Sequence, residues 1–274
     1  MKFLKKYISK FYFQNFYERP SKRHRECLLK KWGKLKSTHS FYEKIEHHAQ
    51  HLVNQGYTIL PEYYKGSLLS DLKSDFESFA CNQEADQYKQ LYISKDNLEN
   101  SKSLSEAVVD LHLMELVEYY FGKPFYLAEL QGKRSYQAIL PDYGNNMWHH
   151  DAKRKQVKIF ILLTNVLPDG QHLDLIPKTH KIWHDFSSYE DTRFDNKKIK
   201  HIFDNYGDAV KCTGSAGTVI IFDTNMLHRA NRNGSNRDVW VFNYTAGRSL
   251  FPIGKPHPDA VKNYSSKQKS IARV

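Results

Sequence analysis

The chain has 274 residues, of which 40% are hydrophobic and 26% are charged. This composition excludes a disordered chain, a collagen-like fibre and a coiled coil, and the length is sufficient for a sizeable core. No apolar run approaches the roughly 18 residues that cross a bilayer, which excludes a spanning helix. Three scattered cysteines exclude a disulfide framework and are typical of a reducing compartment, so we expect the protein in the cytoplasm.

The net charge of +11 is concentrated at the amino terminus. Residues 1–36 contain twelve Lys or Arg and two Glu, a net charge of +10, which leaves the remaining 238 residues close to neutral. Apolar and aromatic side chains recur there with helical spacing between lysines, until Pro20 ends the pattern. We therefore divide the chain into a basic amphipathic arm, residues 1–37, and a single domain, residues 38–274.

The arm has three interpretations. A basic, aromatic-rich amphipathic helix is typical of an element that lies on anionic lipid, which predicts peripheral contact through residues 1–20 at the inner face of the membrane. The second interpretation is that its apolar stripe packs on the domain and its lysines face water. The third is contact with a nucleic-acid backbone, which we rank last. The oligomeric state is not predicted.

Helices are predicted first behind the arm. Their periodicity covers residues 40–55, 68–80 and 104–121. Gly56 and Gly122 are the expected stops of the first and the last of these helices. Residues 57–60 read as a short strand that Pro61 ends.

The pattern changes to predicted strands from Phe125 onward. Short runs rich in aromatic and β-branched residues alternate there with Pro, Gly, Asn and Asp. The runs are FYLAELQ, SYQAIL, VKIFILLTNV, HLDLI, GTVIIF and VWVFNYTA. They predict a mainly β barrel or sandwich with a helical N-terminal part, interrupted by a long excursion over residues 183–208.

A candidate metal-binding pattern occurs at Trp148-His149-His150-Asp151. Side chains alternate along an extended backbone, so His149 and Asp151 point to one side and His150 to the other. One further donor completes a two-histidine, one-carboxylate face, which suits Fe(II) and leaves coordination positions open. On these residues alone, two polar side chains at a strand end are the simpler interpretation.

A second stretch supplies the further donor. A buried strand, residues 217–222, leads through a turn to His228, and Arg237 opens the next strand nine residues later. His-x-Asp, a later His and then an Arg before a strand resembles the pattern of the Fe(II)- and 2-oxoglutarate-dependent dioxygenases, in particular the phytanoyl-CoA dioxygenase branch. Residues 162–181, LLTNVLPDGQHLDLIPKTHK, resemble a signature of that branch, and residues 56–61, GYTILP, its opening strand. The likeness covers about residues 40–250.

This resemblance implies a double-stranded β-helix, a jelly-roll barrel flanked by helices, with the metal at one mouth. His149, Asp151 and His228 match the ligands of Fe(II), which would also bind O2. Arg237 matches the cation that binds the far (C5) carboxylate of 2-oxoglutarate, a role that suits a guanidinium because its planar fork pairs with carboxylates.

Other residues are secondary candidates at the same mouth. Possible contacts to the co-substrate are Gln137, Lys158 and Thr164. Because the interval from His228 to Arg237 is short for the family, Arg232 and Arg248 are rivals for the carboxylate. Possible substrate contacts are His180, His184 and Arg193. Lys178-Thr179 stands where the family has Gly-Ser, which leaves the local turn open.

The resemblance and the basic arm together favour hydroxylation of a C–H bond in an anionic, membrane-displayed substrate. The Kdo hydroxylases of the same enzyme group act on the acidic sugar of lipid A and fit this description. Asp151 favours hydroxylation over halogenation, because halogenating relatives lack this carboxylate. The alternative is a soluble hydroxylase of a small metabolite or an acyl thioester. Asn243 disfavours a nucleic-acid demethylase, since those relatives have a second arginine there.

Overall fold

The computed structural model describes residues 21–36, 40–137, 144–151, 155–182, 192–232, 234–246 and 254–274. The helices in these ranges are α1 Lys22–Leu35, α2 Ser40–Gln55, α3 Gly66–Ala80, α4 Lys102–Ala107, α5 Leu111–Phe121, α6 Asn196–Tyr206, α7 Pro258–Lys262 and α8 Ser266–Ala272. The strands are β1 Tyr57–Leu60, β2 Gln90–Ile93, β3 Tyr126–Ser135, β4 Trp148–His149, β5 Gln156–Leu162, β6 Leu173–Leu175, β7 Arg193–Phe194, β8 Val210–Cys212, β9 Val219–Asp223, β10 His228–Ala230 and β11 Arg237–Thr245. None of the helices in the described ranges has the length and apolarity required to cross a bilayer.

The strands form two antiparallel sheets. The major sheet has the order β1-β9-β5-β11-β3-β2 and the minor sheet the order β7-β4-β10-β6-β8. An apolar cluster between them takes Leu173 and Leu175 from the minor sheet and Ile220 and Val239 from the major sheet. The two sheets therefore enclose one interior, which confirms the predicted double-stranded β-helix.

Alternation along β11 shows how the sequence builds both sides of the major sheet. Val239 and Val241 face the barrel interior, whereas Trp240 and Phe242 face the helices on the outside. Both faces are apolar because helices cover the outer one, so the strand reads as continuous hydrophobic sequence. The largest apolar cluster of the described residues lies between this outer face and the helical layer.

The helical layer differs from the sequence prediction at residues 104–121. Two helices, α4 and α5, replace the single predicted helix, and residues 108–110 separate them. Asp110 causes the break, because its side chain accepts hydrogen bonds from the backbone N–H groups of His112 and Leu113 and so begins α5. Gly122 ends α5 in a left-handed conformation, as predicted.

Helix α1 belongs to the second half of the predicted arm, yet it packs on the domain. Leu28 and Trp32 are buried, and the Trp32 indole donates to the Glu115 carboxylate of α5 at 2.8 Å. The boundary predicted at residue 37 therefore does not separate this helix from the fold. Residues 1–20, which carry the predicted membrane contact, lie outside the described residues.

The remaining differences concern irregular segments. In the predicted strand SYQAIL only Ser135 belongs to a strand, the end of β3, and residues 138–140 lie outside the described ranges. The predicted excursion over residues 183–208 contains β7 and α6, while residues 183–191 are not described. Helix α6 packs Phe203 edge-on against Trp148 of the minor sheet, so this part of the excursion is folded against the barrel.

Candidate metal centre

Two neighbouring strands of the minor sheet bring the predicted histidines together. His149 of β4 lies directly opposite His228 of β10, and their ring centroids are 4.2 Å apart. Directly opposed residues of an antiparallel pair project from the same face, which here is the barrel interior. Asp151 follows His149 by two residues and therefore returns to the same side.

The three side chains converge on one point. Asp151 Oδ1 lies 3.6 Å from His149 Nε2 and 3.6 Å from His228 Nε2. Within the described residues, this is the single group of three or more potential ligands whose atoms lie within 4.8 Å of one another. The ligand atoms therefore surround a space of the size that one metal ion requires.

Backbone carbonyls determine which nitrogen of each imidazole faces the centre. His149 Nδ1–H donates to the Met147 carbonyl at 2.7 Å, and His228 Nδ1–H donates to the Met226 carbonyl at 2.8 Å. Both Nε2 atoms thus keep their lone pairs for a metal. Burial lowers the pKa of both histidines, so both imidazoles are neutral near pH 7.

Lys158 of β5 holds the other oxygen of the carboxylate. Its Nζ donates to Asp151 Oδ2 at 2.6 Å, which leaves Oδ1 directed at the histidines. Burial alone raises the pKa of Asp151, but the charge of Lys158 and the two imidazoles outweigh it and hold that pKa well below its ordinary value. Lys158 thus contacts the candidate metal ligand Asp151, whereas the sequence-based prediction was a contact to the co-substrate.

The turn before β10 fixes the backbone of the site. The Asp151 N–H donates to the Thr224 carbonyl at 2.9 Å, and the Leu227 N–H donates to the Thr179 hydroxyl at 2.9 Å. Thr179 belongs to the signature segment, so this segment positions the strand that carries His228. Lys178, at the position where the family has glycine, adopts a left-handed conformation with φ of 68°.

Arg237 opens β11 inside the barrel. It is 3% exposed, and within the described residues its buried Nε has no hydrogen-bond partner. Burial, followed by the charge of Arg232, lowers its pKa to about 10. A buried guanidinium with an unused Nε–H donor fits the carboxylate of a dicarboxylic acid, so the residues present fit 2-oxoglutarate.

The rivals of Arg237 are placed differently. Arg232 Nη2 donates to the carbonyls of Tyr88, Lys89 and Tyr136, at 3.1, 3.0 and 2.8 Å, and so ties loops together. Arg248 lies outside the described residues.

Two predicted co-substrate contacts have local structural roles. Gln137 is exposed beyond the end of β3, not on a strand, and its backbone N–H donates to the Asn236 side chain. Thr164 follows the end of β5, and its hydroxyl accepts the N–H of Asp238 at 3.1 Å. Both were placed within predicted strands, SYQAIL and VKIFILLTNV, but β3 ends at Ser135 and β5 at Leu162.

The three residues predicted to contact the substrate differ in where they lie. His180 is buried and its Nε2 donates to the Val53 carbonyl at 3.2 Å, so it has a structural role. His184 lies outside the described residues. Arg193 of β7 lies directly opposite His149, and its charge contributes, after burial, to lowering the pKa of both histidine ligands. Arg193 is therefore the predicted contact that adjoins the metal centre.

Lys133 was not predicted from the sequence as a residue of the site. This lysine lies on β3, is 9% exposed and faces the barrel interior, opposite Val239. The available signal was the polar alternation Glu129, Gln131, Lys133 and Ser135 within β3, which marks an inward-facing row.

A double-stranded β-helix with a His-Asp-His centre and a buried cation defines the Fe(II)- and 2-oxoglutarate-dependent oxygenases, and the chain is an enzyme of this class. Residues 52–238 match the family model described as phytanoyl-CoA dioxygenase (PhyH). The chain belongs to this family. Fe(II) and 2-oxoglutarate are accordingly its cofactor and co-substrate.

Solved structures agree on the fold. EctD from S. alaskensis with 2-oxoglutarate and 5-hydroxyectoine aligns with a TM-score of 0.60 and 20% identity over 77% of this chain and 81% of its own. The epimerase SnoN from nogalamycin biosynthesis, in complex with Fe3+, alpha ketoglutarate and nogalamycin RO, aligns with a TM-score of 0.61 and 15% identity. The alignment covers 78% of this chain and 95% of SnoN. HygX from Streptomyces hygroscopicus with nickel and 2-oxoglutarate aligns with a TM-score of 0.55 and 15% identity, over 76% of this chain and 88% of HygX. No curated protein sequence matches the chain.

Proposed function

We propose that the protein hydroxylates a C–H bond of an anionic substrate. The observation that carries the proposal is the convergence of His149, Asp151 and His228 inside a barrel that also contains the buried Arg237. When bound, Fe(II), 2-oxoglutarate and O2 supply the oxidising chemistry by which enzymes of this class attack C–H bonds, with succinate and CO2 as by-products. The carboxylate of Asp151 favours hydroxylation over halogenation.

The residues of the chain have separable roles in this reaction. His149 and His228 hold Fe(II) through Nε2 atoms that the carbonyls of residues 147 and 226 keep unprotonated. Lys158 orients the Asp151 carboxylate through its 2.6 Å contact. Arg237 binds the far carboxylate of 2-oxoglutarate and so orients the keto acid towards the metal.

The position of Arg193 supports the proposal that the substrate is anionic. It is cross-strand from His149 and its charge reaches both histidine ligands, so an anionic group bound there lies beside the metal. A guanidinium pairs with carboxylate or phosphate through two parallel hydrogen bonds. We therefore assign Arg193 to the acidic group of the substrate.

The positive charge of helix α1 supports the proposal that the substrate is displayed on a membrane. Arg23, Lys30 and Lys34 lie on its exposed side, and Glu26 is the one acidic residue of the helix. Residues 1–20 add the basic amphipathic pattern found in the sequence. Anionic lipid attracts each such cation by about 1 kcal/mol. We therefore propose peripheral contact with an anionic leaflet and, as the substrate, an acidic glycolipid such as Kdo-lipid A.

The direct test incubates the full chain with Fe(II), 2-oxoglutarate, O2 and Kdo2-lipid A. We expect the lipid to gain the mass of one oxygen atom, in proportion to succinate release, and we expect Asp151→Ala to give neither product. Succinate release without a mass gain would reject this lipid as the substrate. Absence of Fe(II)-dependent succinate release with every member of an anionic-lipid panel would reject the proposed hydroxylase.

The role of Arg193 is tested with the substrate found in that assay. We expect Arg193→Gln to raise KM for the anionic substrate roughly tenfold or more while 2-oxoglutarate binding is unchanged. Arg193→Lys, which keeps the charge, should recover part of the loss. Equal KM values for the wild type and Arg193→Gln would remove the residue from the substrate site.

Membrane contact is tested by co-sedimentation with vesicles. The wild type is expected to bind vesicles that contain phosphatidylglycerol and not vesicles of phosphatidylcholine alone, and the binding should weaken as salt rises. Deletion of residues 1–20 is expected to abolish the binding. If the wild type leaves both kinds of vesicle in solution, the membrane proposal is wrong.

One observation favours the second candidate, a soluble hydroxylase of a small metabolite or acyl thioester. Leu28 and Trp32 of α1 are buried against the domain, so the apolar side of this helix is not available to lipid. An unchanged turnover of a water-soluble substrate after deletion of residues 1–20, together with no vesicle binding, would establish this candidate.

A further inference from the structure

Three residues on adjacent strands of the major sheet, Glu129, Asn243 and Lys158, form a polar row at the level of the metal centre. Asn243 of β11 lies directly opposite Glu129 of β3 and directly opposite Lys158 of β5. The row faces the barrel interior, because Val241, two residues before Asn243, belongs to the apolar cluster inside the barrel. Lys158 donates to Asp151 Oδ2 at 2.6 Å, so the polar row adjoins the metal ligands.

The Asn243 amide contributes an unused acceptor to the polar row. The residue is 7% exposed, and its Nδ2 donates to Glu129 Oε2 at the long distance of 3.5 Å. This contact determines the orientation of the amide, since the reverse orientation would place its oxygen against a carboxylate. Asn243 Oδ1 therefore faces away from Glu129, and within the described residues it has no hydrogen-bond partner. A buried carbonyl oxygen without a donor is costly, which favours a bound group that donates a hydrogen bond to it.

The Glu129 carboxylate supplies a second acceptor at the outer end of the polar row. Its side chain is exposed, yet its charge reaches into the barrel. Burial lowers the pKa of Lys158, but the charges of Asp151 and Glu129 raise it above its ordinary value. The polar row thus leads from solvent, at Glu129, to the metal ligand that Lys158 holds.

The position of Asn243 separates it from the far carboxylate of 2-oxoglutarate. Arg237 opens β11, and Asn243 follows six residues later, about 20 Å along the strand. Carboxylate oxygens are acceptors, so they would also meet Asn243 Oδ1 and the Glu129 carboxylate unfavourably. The acceptors of the polar row are therefore available to the primary substrate.

Electrostatics select the kind of donor that these acceptors bind. An ammonium group beside Asn243 would lie next to Lys158 and be repelled by it, whereas a hydroxyl group donates without a charge. Glu129 repels the acidic group of the substrate, and Arg193 attracts that group to the minor sheet on the opposite wall of the barrel. The substrate is thereby oriented with its acidic group on one wall and its hydroxyl groups on the other.

We propose that Asn243 and Glu129 form a subsite for hydroxyl groups of the primary substrate, which makes that substrate a hydroxyl-bearing acid of the sugar-acid class. The inference rests on the proposed function in that an anionic substrate enters this mouth of the barrel. Asn243 accepts one hydroxyl group near the metal centre, and Glu129 accepts another at the rim. The subsite therefore distinguishes a sugar acid from an acid of similar shape that has no hydroxyl groups.

The experiment measures substrate binding without turnover. The full chain is loaded with Fe(II) and 2-oxoglutarate under anaerobic conditions, and calorimetry follows the addition of one of two ring acids. One acid is the methyl glycoside of Kdo, and the other is cyclohexanecarboxylate, which has no hydroxyl groups. We expect the wild type to bind the sugar acid at least roughly tenfold more tightly.

Substitutions in the polar row should remove this preference. We expect Asn243→Leu to weaken the sugar acid roughly tenfold and to leave cyclohexanecarboxylate within about twofold of the wild type. Glu129→Leu should act in the same direction, and Glu129→Gln, which keeps an acceptor, should recover part of the loss. Asn54→Leu and Glu84→Leu, at exposed positions, are the matched controls.

The outcomes separate this inference from the function on which it rests. A wild type that binds Fe(II) and 2-oxoglutarate but shows no preference for the sugar acid, or binds neither ring acid, overturns the inference. An equal loss of both ring acids in Asn243→Leu also overturns it, because that result shows a general effect on the site. A wild type that binds neither Fe(II) nor 2-oxoglutarate contradicts the proposed function itself. Retained 2-oxoglutarate binding in Asn243→Leu shows that the variant is folded.

Discussion

The protonation of two imidazoles determines the ligand capacity of the centre. His149 and His228 each donate Nδ1–H to the carbonyl two residues upstream and present Nε2 to Asp151. Burial lowers both histidine pKa values, so neither side chain must lose a proton before it binds a metal near neutral pH. Asp151 supplies the negative charge of the triad, and Lys158 directs it.

Substitution of Asp151 by Ala tests the assignment of this residue as a ligand. We expect Fe(II) affinity and succinate release each to fall at least about a hundredfold, because the metal loses a ligand and its one compensating charge. Anaerobic Fe(II) titration and succinate assays measure the two effects. Asp204→Ala, at an exposed position of α6, should match the wild type. Wild-type Fe(II) affinity in Asp151→Ala would disprove the assignment.

One buried histidine outside the centre, His180, links stability to pH. Burial lowers the pKa of His180 from 6.5 to about 3. The unfolded chain takes up a proton at this residue once the pH drops below about 6.5, while the folded chain does so only near 3. The free energy of unfolding should therefore fall as the pH drops through this interval, by at most about 1.4 kcal/mol per pH unit.

Denaturant unfolding at a series of pH values measures this effect. His180→Gln should flatten the decline between about pH 6 and pH 4, because the titrating group is absent. His201→Gln, at an exposed position of α6, should keep the slope of the wild type. An unchanged slope in His180→Gln would assign the decline to other groups.

Among the secondary-structure elements, β3 and β11 carry both the interior cations and the contact with the helices. They pair over nine register positions, from Arg237 with Ser135 to Thr245 with Tyr126. On the outer side, Trp240 packs edge-on against Phe76 of α3 and its indole donates to the Leu72 carbonyl at 3.1 Å. This contact anchors α3 on the strand that begins with Arg237.

Gly132 of β3 allows this packing. A Cβ atom at this position would lie 2.6 Å from the Trp240 ring and 2.9 Å from Ile93, so Gly132→Ala should lower the free energy of unfolding by about 1–3 kcal/mol. Gly33→Ala is the control, because nothing lies within 4 Å of the new atom, and in helix α1 it should stabilise by about 0.5–1 kcal/mol. Chemical denaturation compares the two, and equal effects would contradict the close packing at Gly132.

On the scale of the whole molecule, α1 is continuous with the catalytic domain. The Glu115 carboxylate of α5 accepts from Trp32 at 2.8 Å and pairs with Lys31, and His24 bonds Glu118 at 2.9 Å. The positive charge of residues 21–36 is thus attached to the helical side of the barrel by specific contacts rather than carried on a separate arm.

Trp32→Ala tests this integration. Trp32 is 1% exposed, so its removal leaves a cavity and takes one hydrogen-bond donor from the Glu115 carboxylate, and we expect a loss of about 3–5 kcal/mol in the free energy of unfolding. Cys27→Ala, at an exposed position of the same helix, should stay within about 0.5 kcal/mol of the wild type. A similar small effect for Trp32→Ala would support the original boundary at residue 37.

Local patterns were sufficient wherever the deciding forces act over a few residues. The two-residue period placed His149 and Asp151 on one side, and the glycine stop ended α5 at Gly122. Hydrophobic runs located five of the six strands of the major sheet, whereas the short edge strand β2 was not predicted. The cap at Asp110, which divides residues 104–121 into two helices, was readable as a local signal but was outweighed by the continuous apolar periodicity.

The periodicity of the sequence by itself determined that helices precede a mainly β barrel or sandwich, because periodicity is a property of the chain. The resemblance of its motifs to a known family implied the double-stranded β-helix and the three candidate ligands. Only the tertiary structure decided that Lys158 pairs with Asp151, that His180 is a buried structural residue and that Lys133 approaches the level of Arg237. Those placements depend on which strands become neighbours and on how much solvent is removed from each charge. Burial and cross-strand pairing are set by the assembled barrel, and no single segment contains them.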